Sequence, residues 1–371
     1  MTQTAPRPTV PSRSAGAPID AANAYVSGRL PRWAAPGLTA ACLGGAITVM
    51  ALLAAAGAIA EFSLVLAIAI GTIASIVLVT AISLMAEGRR AATNRFMIAL
   101  VISAFVLALL PLVSVLSTVL VNGSARFDLE FFTWSMRSVI GEGGGALHAI
   151  VGTLQITAWA TLISVPIGLF AAIYLVEYGR GPLARAITFF VDVMTGIPSI
   201  VAGLFAYALF VLIFGEGVRM GFAGSVALSV LMIPVVVRSS EEMLKLVPDE
   251  LREAAYALGV PKWLTIAKVV LPTAAAGIIT GITLAIARVI GETAPLLIVA
   301  GFTSSMNYTV FSERMQSLPV FVYTQYANPG SDVEFYLERA WAGALTLIII
   351  VMALNLIARL ITRLFRPKAG R

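Results

Sequence analysis

The chain is dominated by long apolar stretches, at approximately 37–60, 62–86, 96–121, 148–176, 186–214, 220–240, 273–300 and 340–364. Each is long enough to cross a bilayer as a helix, which needs roughly 20 mostly apolar residues. A backbone inside lipid has no water to bind, so such stretches satisfy their hydrogen bonds internally as helices. Only 12% of the 371 residues are charged and 59% are apolar. That is more apolar surface than one soluble core can hide. The expected fold class is therefore all-α, a polytopic transmembrane helical bundle of about eight spans. The first two stretches are nearly continuous; Glu61 breaks them and is expected at the tip of a tight hairpin.

Lysine and arginine set the expected orientation. They crowd into the N-terminal tail, 87–95, 177–185, 238–268 and the C-terminal segment. The alternate segments hold only Arg126, Arg137, Arg219, Arg314 and Arg339. Basic residues favour cytoplasmic loops, so both termini are expected in the cytoplasm, with the chain in a bacterial plasma membrane. The net charge of +6 reflects this bias and points to no nucleic-acid partner. The first 35 residues are rich in Pro, Ala, Ser and Arg and are expected to be a disordered cytoplasmic tail. No short apolar segment follows the start, so they do not resemble a cleavable signal. Cys42 is the sole cysteine and His148 the sole histidine. This excludes a disulfide framework and a histidine or cysteine metal cluster; His148 is expected in an interfacial structural role. Two outer segments are long and aromatic: 122–147, with Phe127, Phe131, Phe132 and Trp134, and 301–339, with Phe302, Tyr308, Phe321 and Tyr326 among others. They suit helices lying along the membrane surface, as anchors or as a docking face for an external partner.

Between the sixth and seventh stretches runs Pro248-Asp249-Glu250-Leu251-Arg252-Glu253-Ala254-Ala255-Tyr256-Ala257-Leu258-Gly259. Asp249 is the expected N-cap and Gly259 the stop of a short helix. Leu251, Ala254, Ala255 and Leu258 share one face. Pro261 suits the first turn of a second helix over 261–271. The spacing Glu253-Ala254-Ala255-x3-Gly259-x9-Val269-x-Leu271-Pro272 resembles the EAA loop of permease subunits of binding-protein-dependent ABC importers, with Val269 where that pattern has Ile. The resemblance implies a type I importer permease core over 93–371 with its EAA loop at 249–272. An extra N-terminal hairpin over 36–92 precedes that core. It implies that Glu253, Ala254, Ala255, Gly259, Leu271 and Pro272 dock on a partner ATPase. None of the four lysines, Lys245, Lys262, Lys268 and Lys368, follows a glycine. A P-loop is therefore absent, and ATP and magnesium are expected on the partner. No cofactor is expected in this chain, which reads as a non-catalytic subunit.

Three further stretches narrow the cargo: Thr195-Gly196-Ile197-Pro198-Ser199, Ile233-Pro234 through Glu242, and Ala287-Arg288-Val289-Ile290-Gly291-Glu292-Thr293-Ala294-Pro295. With the loop, they resemble the A-type permease subunits of phosphate-specific (Pst) importers. The implied partners are a C-type second permease, an ATPase dimer, an external phosphate-binding protein and membrane lipid. Arg288 falls about sixteen residues, or roughly 24 Å of helix, beyond Pro272. An arginine at mid-bilayer costs on the order of 2.5–3.5 kcal/mol on insertion scales. Glu292 follows at i+4, on the same helical face if the helix continues. The two either neutralise each other, or Arg288 faces the pathway while Glu292 orients it. Arg238, with Glu241 close by, either snorkels to the inner interface or serves the same pathway. The expected function is a phosphate importer permease. Molybdate or sulfate as cargo, or an ATP-independent channel or scaffold, are the alternatives.

Overall fold

The computed structural model describes residues 30–31, 33–57 and 63–365. The expected tail up to residue 29 and the Glu61 tip lie outside them. Every regular element among the described residues is helical. Seven helices are long and apolar enough to cross a membrane, and one bent pair makes an eighth crossing if taken together.

The described residues form two compact units, divided at Val115 and Leu116. In the first, α1 (Ala34–Ala55) packs on α2 (Leu64–Ala86). The buried positions of α2 are Ala67, Gly71, Ser75, Val79 and Ser83, every fourth residue. That period lays small side chains along one face and lets two backbones approach. At Gly71 a Cβ would meet the Leu43 Cα at 2.9 Å. Glu87 closes this unit as a clasp. It accepts hydrogen bonds from the Leu30 amide (2.8 Å), the Ser83 hydroxyl (2.9 Å) and the Arg95 guanidinium (2.7 Å). Burial opposes its ionisation, but these donors outweigh burial and hold its carboxyl below the ordinary glutamate value. α3 (Arg89–Gly123) begins here and crosses the division.

The second unit contains α4 (Leu129–Thr133), α5 (Leu147–Ile173), α6 (Pro182–Gly196), α7 (Ser199–Phe214), α8 (Gly221–Lys245), α9 (Asp249–Ala257), α10 (Lys262–Thr265), α11 (Leu271–Val289), α12 (Ala294–Val299), α13 (Leu318–Ala327) and α14 (Val333–Phe365). A π-helical turn, Tyr174–Tyr178, extends α5, and a second, Ile266–Val270, joins α10 to α11. α8 is the central helix. Two thirds of its apolar window is buried (67%), against a third or less for every other described span. It packs on α5 through Gly168, where a Cβ would meet Val236 Cγ1 at 2.7 Å. It packs on α11 through Gly277 and Gly281, which lie against Met243 and Ser239.

Two expected spans are broken. The stretch 186–214 is not one helix: α6 and α7 meet at 111°. Proline removes an amide and pushes the preceding residue into extended backbone. Ile197 accordingly has ψ 126° before Pro198, so α6 stops and α7 restarts. The stretch 273–300 also breaks. α11 ends at Val289, and α12 begins after Thr293 with Pro295 in its first turn. At the other side of α11, the expected separate helix 261–271 is instead the first part of one continuous helix, Lys262–Val289.

The long aromatic segments are only partly surface helices. Phe131 and Phe321 are fully buried and join a cluster with Leu318 and Ala342. His148 is likewise buried within the protein, edge-on to Phe321 with its Nε2 3.1 Å from Gln316 Oε1. Trp134, Tyr308 and Tyr326 remain exposed.

Candidate functional site

The loop between α8 and α11 folds as a compact knuckle. Pro248, rather than Asp249, is the N-cap of α9, and it has no side-chain capping bond. Asp249 is instead the first helical residue, where a carboxylate favours the positive end of the helix dipole. The other end closes as expected at Gly259. Its φ is +74°, and the Gly259 and Val260 amides donate to the carbonyls of Tyr256 (2.9 Å) and Ala255 (3.1 Å). This is the Schellman arrangement. Glu253, Ala254, Gly259 and Pro272 are exposed, Leu271 is half-buried, and Ala255 is buried. Leu258 (84% exposed) and Trp263 (66%) stand out beside them. The knuckle thus presents an apolar surface with a small-residue centre, which suits close approach by another protein.

Arg252 ties this knuckle to the bundle. Its Nε and Nη2 donate to Glu177 Oε1 at 3.1 and 3.0 Å, and its other bonds go to the carbonyls of Leu244 and Val247 and to Asp249. Lys262 donates to the Glu177 carbonyl and stands 4.6 Å over the Tyr178 ring.

The candidate pathway charges fall into two groups. Arg238 is engaged: it pairs with Asp192 on α6 and with Glu241 at 3.0 Å, and Glu241 also takes Lys245 at 2.7 Å. Arg288 is exposed near the end of α11, and no carboxylate pairs with it among the described residues. Glu292 does not lie one turn further along the same helix. It sits in the turn after α11, half-buried, its amide bonded to the Val289 carbonyl at 3.1 Å. The mutual neutralisation of Arg288 and Glu292 is therefore not formed. The contacts of Gly277 with Met243 and Gly281 with Ser239 set the register of α8 on α11. That register puts Arg288 level with Met232, roughly 9 Å along the axis from Arg238.

At the opposite end of this unit a glycine turn is held by arginines. Arg339 is 1% exposed. It donates to the carbonyls of Gly141 (2.6 Å) and Gly143 (3.0 Å) and to Gln325 Oε1 (3.1 Å). Arg126 donates to the Gly144 carbonyl at 2.8 Å.

Sequence reasoning missed Asp192, Glu177 and Arg339. Asp192 had a signal: it is the one acidic residue between Pro182 and Phe214. Glu177 had none, since its partner lies 75 residues away.

A broken-span helical bundle with a capped knuckle between two of its spans defines a class: the membrane permease subunits of importers. Residues 164–371 match the family described as "Binding-protein-dependent transport system inner membrane component". The chain is 49% identical over 273 residues to the phosphate transport system permease protein PstA of Mycobacterium leprae, covering 72% of this chain and 88% of that one. It is 49% identical to PstA 1 of Mycobacterium tuberculosis (74% and 90% covered) and 40% identical to PstA of Yersinia pestis (73% and 90%). The fold also resembles a chain of a bacterial alginate ABC transporter solved with its alginate-bound periplasmic protein. The TM-score is 0.52 at 12% identity, covering 75% of this chain and 97% of that one. This chain belongs to the PstA family of phosphate transport system permeases.

Proposed function

We propose that this chain is the permease half of an ATP-driven inorganic phosphate importer in a bacterial plasma membrane, with both termini cytoplasmic. The carrying observation is Arg288, an exposed arginine near the end of a spanning helix with no carboxylate partner among the described residues. Facing lipid, such a charge is costly; facing an aqueous pathway shared with a second permease, it is not. Its planar fork matches phosphate oxygens. Arg238 already holds Asp192 and Glu241, so of these two arginines it is Arg288, unpaired among the described residues, that takes the anion first. Arg238 follows roughly 9 Å along, where an arriving anion competes with Asp192 for the guanidinium.

The residues of the knuckle, Glu253 to Gly259 with Leu271 and Pro272, dock on an ATPase dimer that supplies ATP and magnesium chemistry. An external phosphate-binding protein delivers the cargo. Residues 93–371 form the permease domain, and 36–92 an added hairpin. The names of the relatives favour phosphate over molybdate or sulfate.

Arg288→Ala is expected to abolish phosphate uptake while the protein still inserts and co-purifies with its partners; Arg288→Lys keeps a remnant. Undiminished uptake by inserted Arg288→Ala protein removes the role given to Arg288. Competition with molybdate and sulfate during uptake tests the cargo separately.

A further inference from the structure

We propose that Glu177 and Arg252 are positioning residues for energy coupling, a strut that passes motion of α9 sideways into α5. This rests on the reading of α9 as the ATPase-docking helix. Of the nine residues of α9, only Ala255 is buried. The helix also packs on the turn Ile266–Val270 and on α10, and Arg252 carries its hydrogen bonds to the turn that extends α5. Both side chains of the strut are shielded, Glu177 5% and Arg252 12% exposed. Arg252 reaches one carboxylate oxygen with two nitrogens and two backbone carbonyls with the rest of its fork. A group so fully engaged cannot swing freely, and it moves with whatever carries α9. Lys262, at the start of the next helix, grips the same turn from the other side. Both contacts land on the π-helical turn Tyr174–Tyr178, a kind of irregularity that recurs at functional sites in helices.

α5 is suited to carry the motion onward. Its far end is locked to the start of α13 and the residues just before it: Thr153 Oγ1 accepts from the Leu318 amide at 2.6 Å, and His148 meets Gln316 at 3.1 Å. Gly152 allows that segment to touch the helix backbone. A push at Glu177 therefore enters a single helix that runs past Pro166 to the opposite end of the bundle. The chain path through α8 and α11 reaches the candidate charges; the strut adds a parallel route to the other face.

The test uses the complete transport complex, purified from cells and reconstituted in vesicles, with phosphate uptake and ATP hydrolysis measured together. Glu177→Ala is expected to leave assembly and hydrolysis in place while phosphate moved per ATP falls by about two- to thirtyfold. Glu177→Gln, which keeps an acceptor for Arg252, falls less. A purely structural role would lower the amount of complex without changing this ratio. An unchanged ratio in Glu177→Ala overturns the strut, and so does loss of assembly in both variants. Ala254→Trp, which blocks the exposed docking surface, is run in parallel. If Ala254→Trp abolishes uptake and Glu177→Ala leaves the ratio unchanged, only the strut fails. If Ala254→Trp leaves ATPase binding and uptake intact, the docking reading itself fails.

Discussion

Gly152 shows how closely single atoms govern this bundle. A Cβ at that position would lie 2.1 Å from the Gln316 carbonyl oxygen, far inside van der Waals contact. Gly152→Ala must push the 316 segment off α5. The expected cost is about 1–3 kcal/mol, in the range of overpacked cores. Thermal unfolding of the purified protein measures it. Gly196→Ala is the comparison, because nothing lies within 4 Å of its Cβ position, and its midpoint is expected to stay close to that of the parent. Single residues stand out in a sequence where chemistry and environment conflict, as Arg288 does in an apolar run. They do not stand out where the environment is supplied by distant chain, as with Glu177 and Arg252, 75 residues apart.

At the scale of elements, the knuckle was legible because its punctuation is local. Gly259 ends α9 and Pro261 opens the next helix, each through its own backbone preference. The conformation at Gly259 also gives a clean experiment. Its φ of +74° favours glycine, yet a Cβ there would meet nothing, so a substitution acts through the backbone alone. Gly259→Ala is expected to destabilise the end of α9 by about 1–2 kcal/mol, and Gly259→Asn by less. Limited proteolysis across 249–260 should rank the three proteins glycine, asparagine, alanine in order of resistance. The breaks after Gly196 and Val289 were less legible. Apolar composition marks a membrane segment without its direction, and only Pro198 and Pro295 hinted that two stretches would turn.

For the whole molecule, fold class was legible because nothing but helices can carry so much apolar sequence through lipid. Which helix becomes central was not. α8 looks like any other span in composition, and its burial comes from small residues that meet five neighbouring helices, α5, α6, α7, α11 and α12. The added hairpin yields a prediction at this scale. α1 and α2 are two crossings, so deleting residues 1–88 keeps the direction of every later one. The shortened protein is expected to insert and to support phosphate uptake at equal amounts in the membrane. Loss of uptake by correctly inserted protein would show that the hairpin belongs to the transport unit itself.

Arg339 entered the charge pattern as one of few basic residues on its side, and in the fold it fastens a glycine turn with carbonyl and amide oxygens only. Glu87 fastens the first unit with a carboxylate, which acid can protonate and so unlatch. The Arg339 fastening has no such handle: no acid group in it gains a proton, and dissolved ions reach it poorly. The same turn has a second hold that acid does reach, since the Gly144 amide donates to the Glu130 carboxylate at 3.0 Å; low pH is expected to loosen that hold while the Arg339 one stays closed.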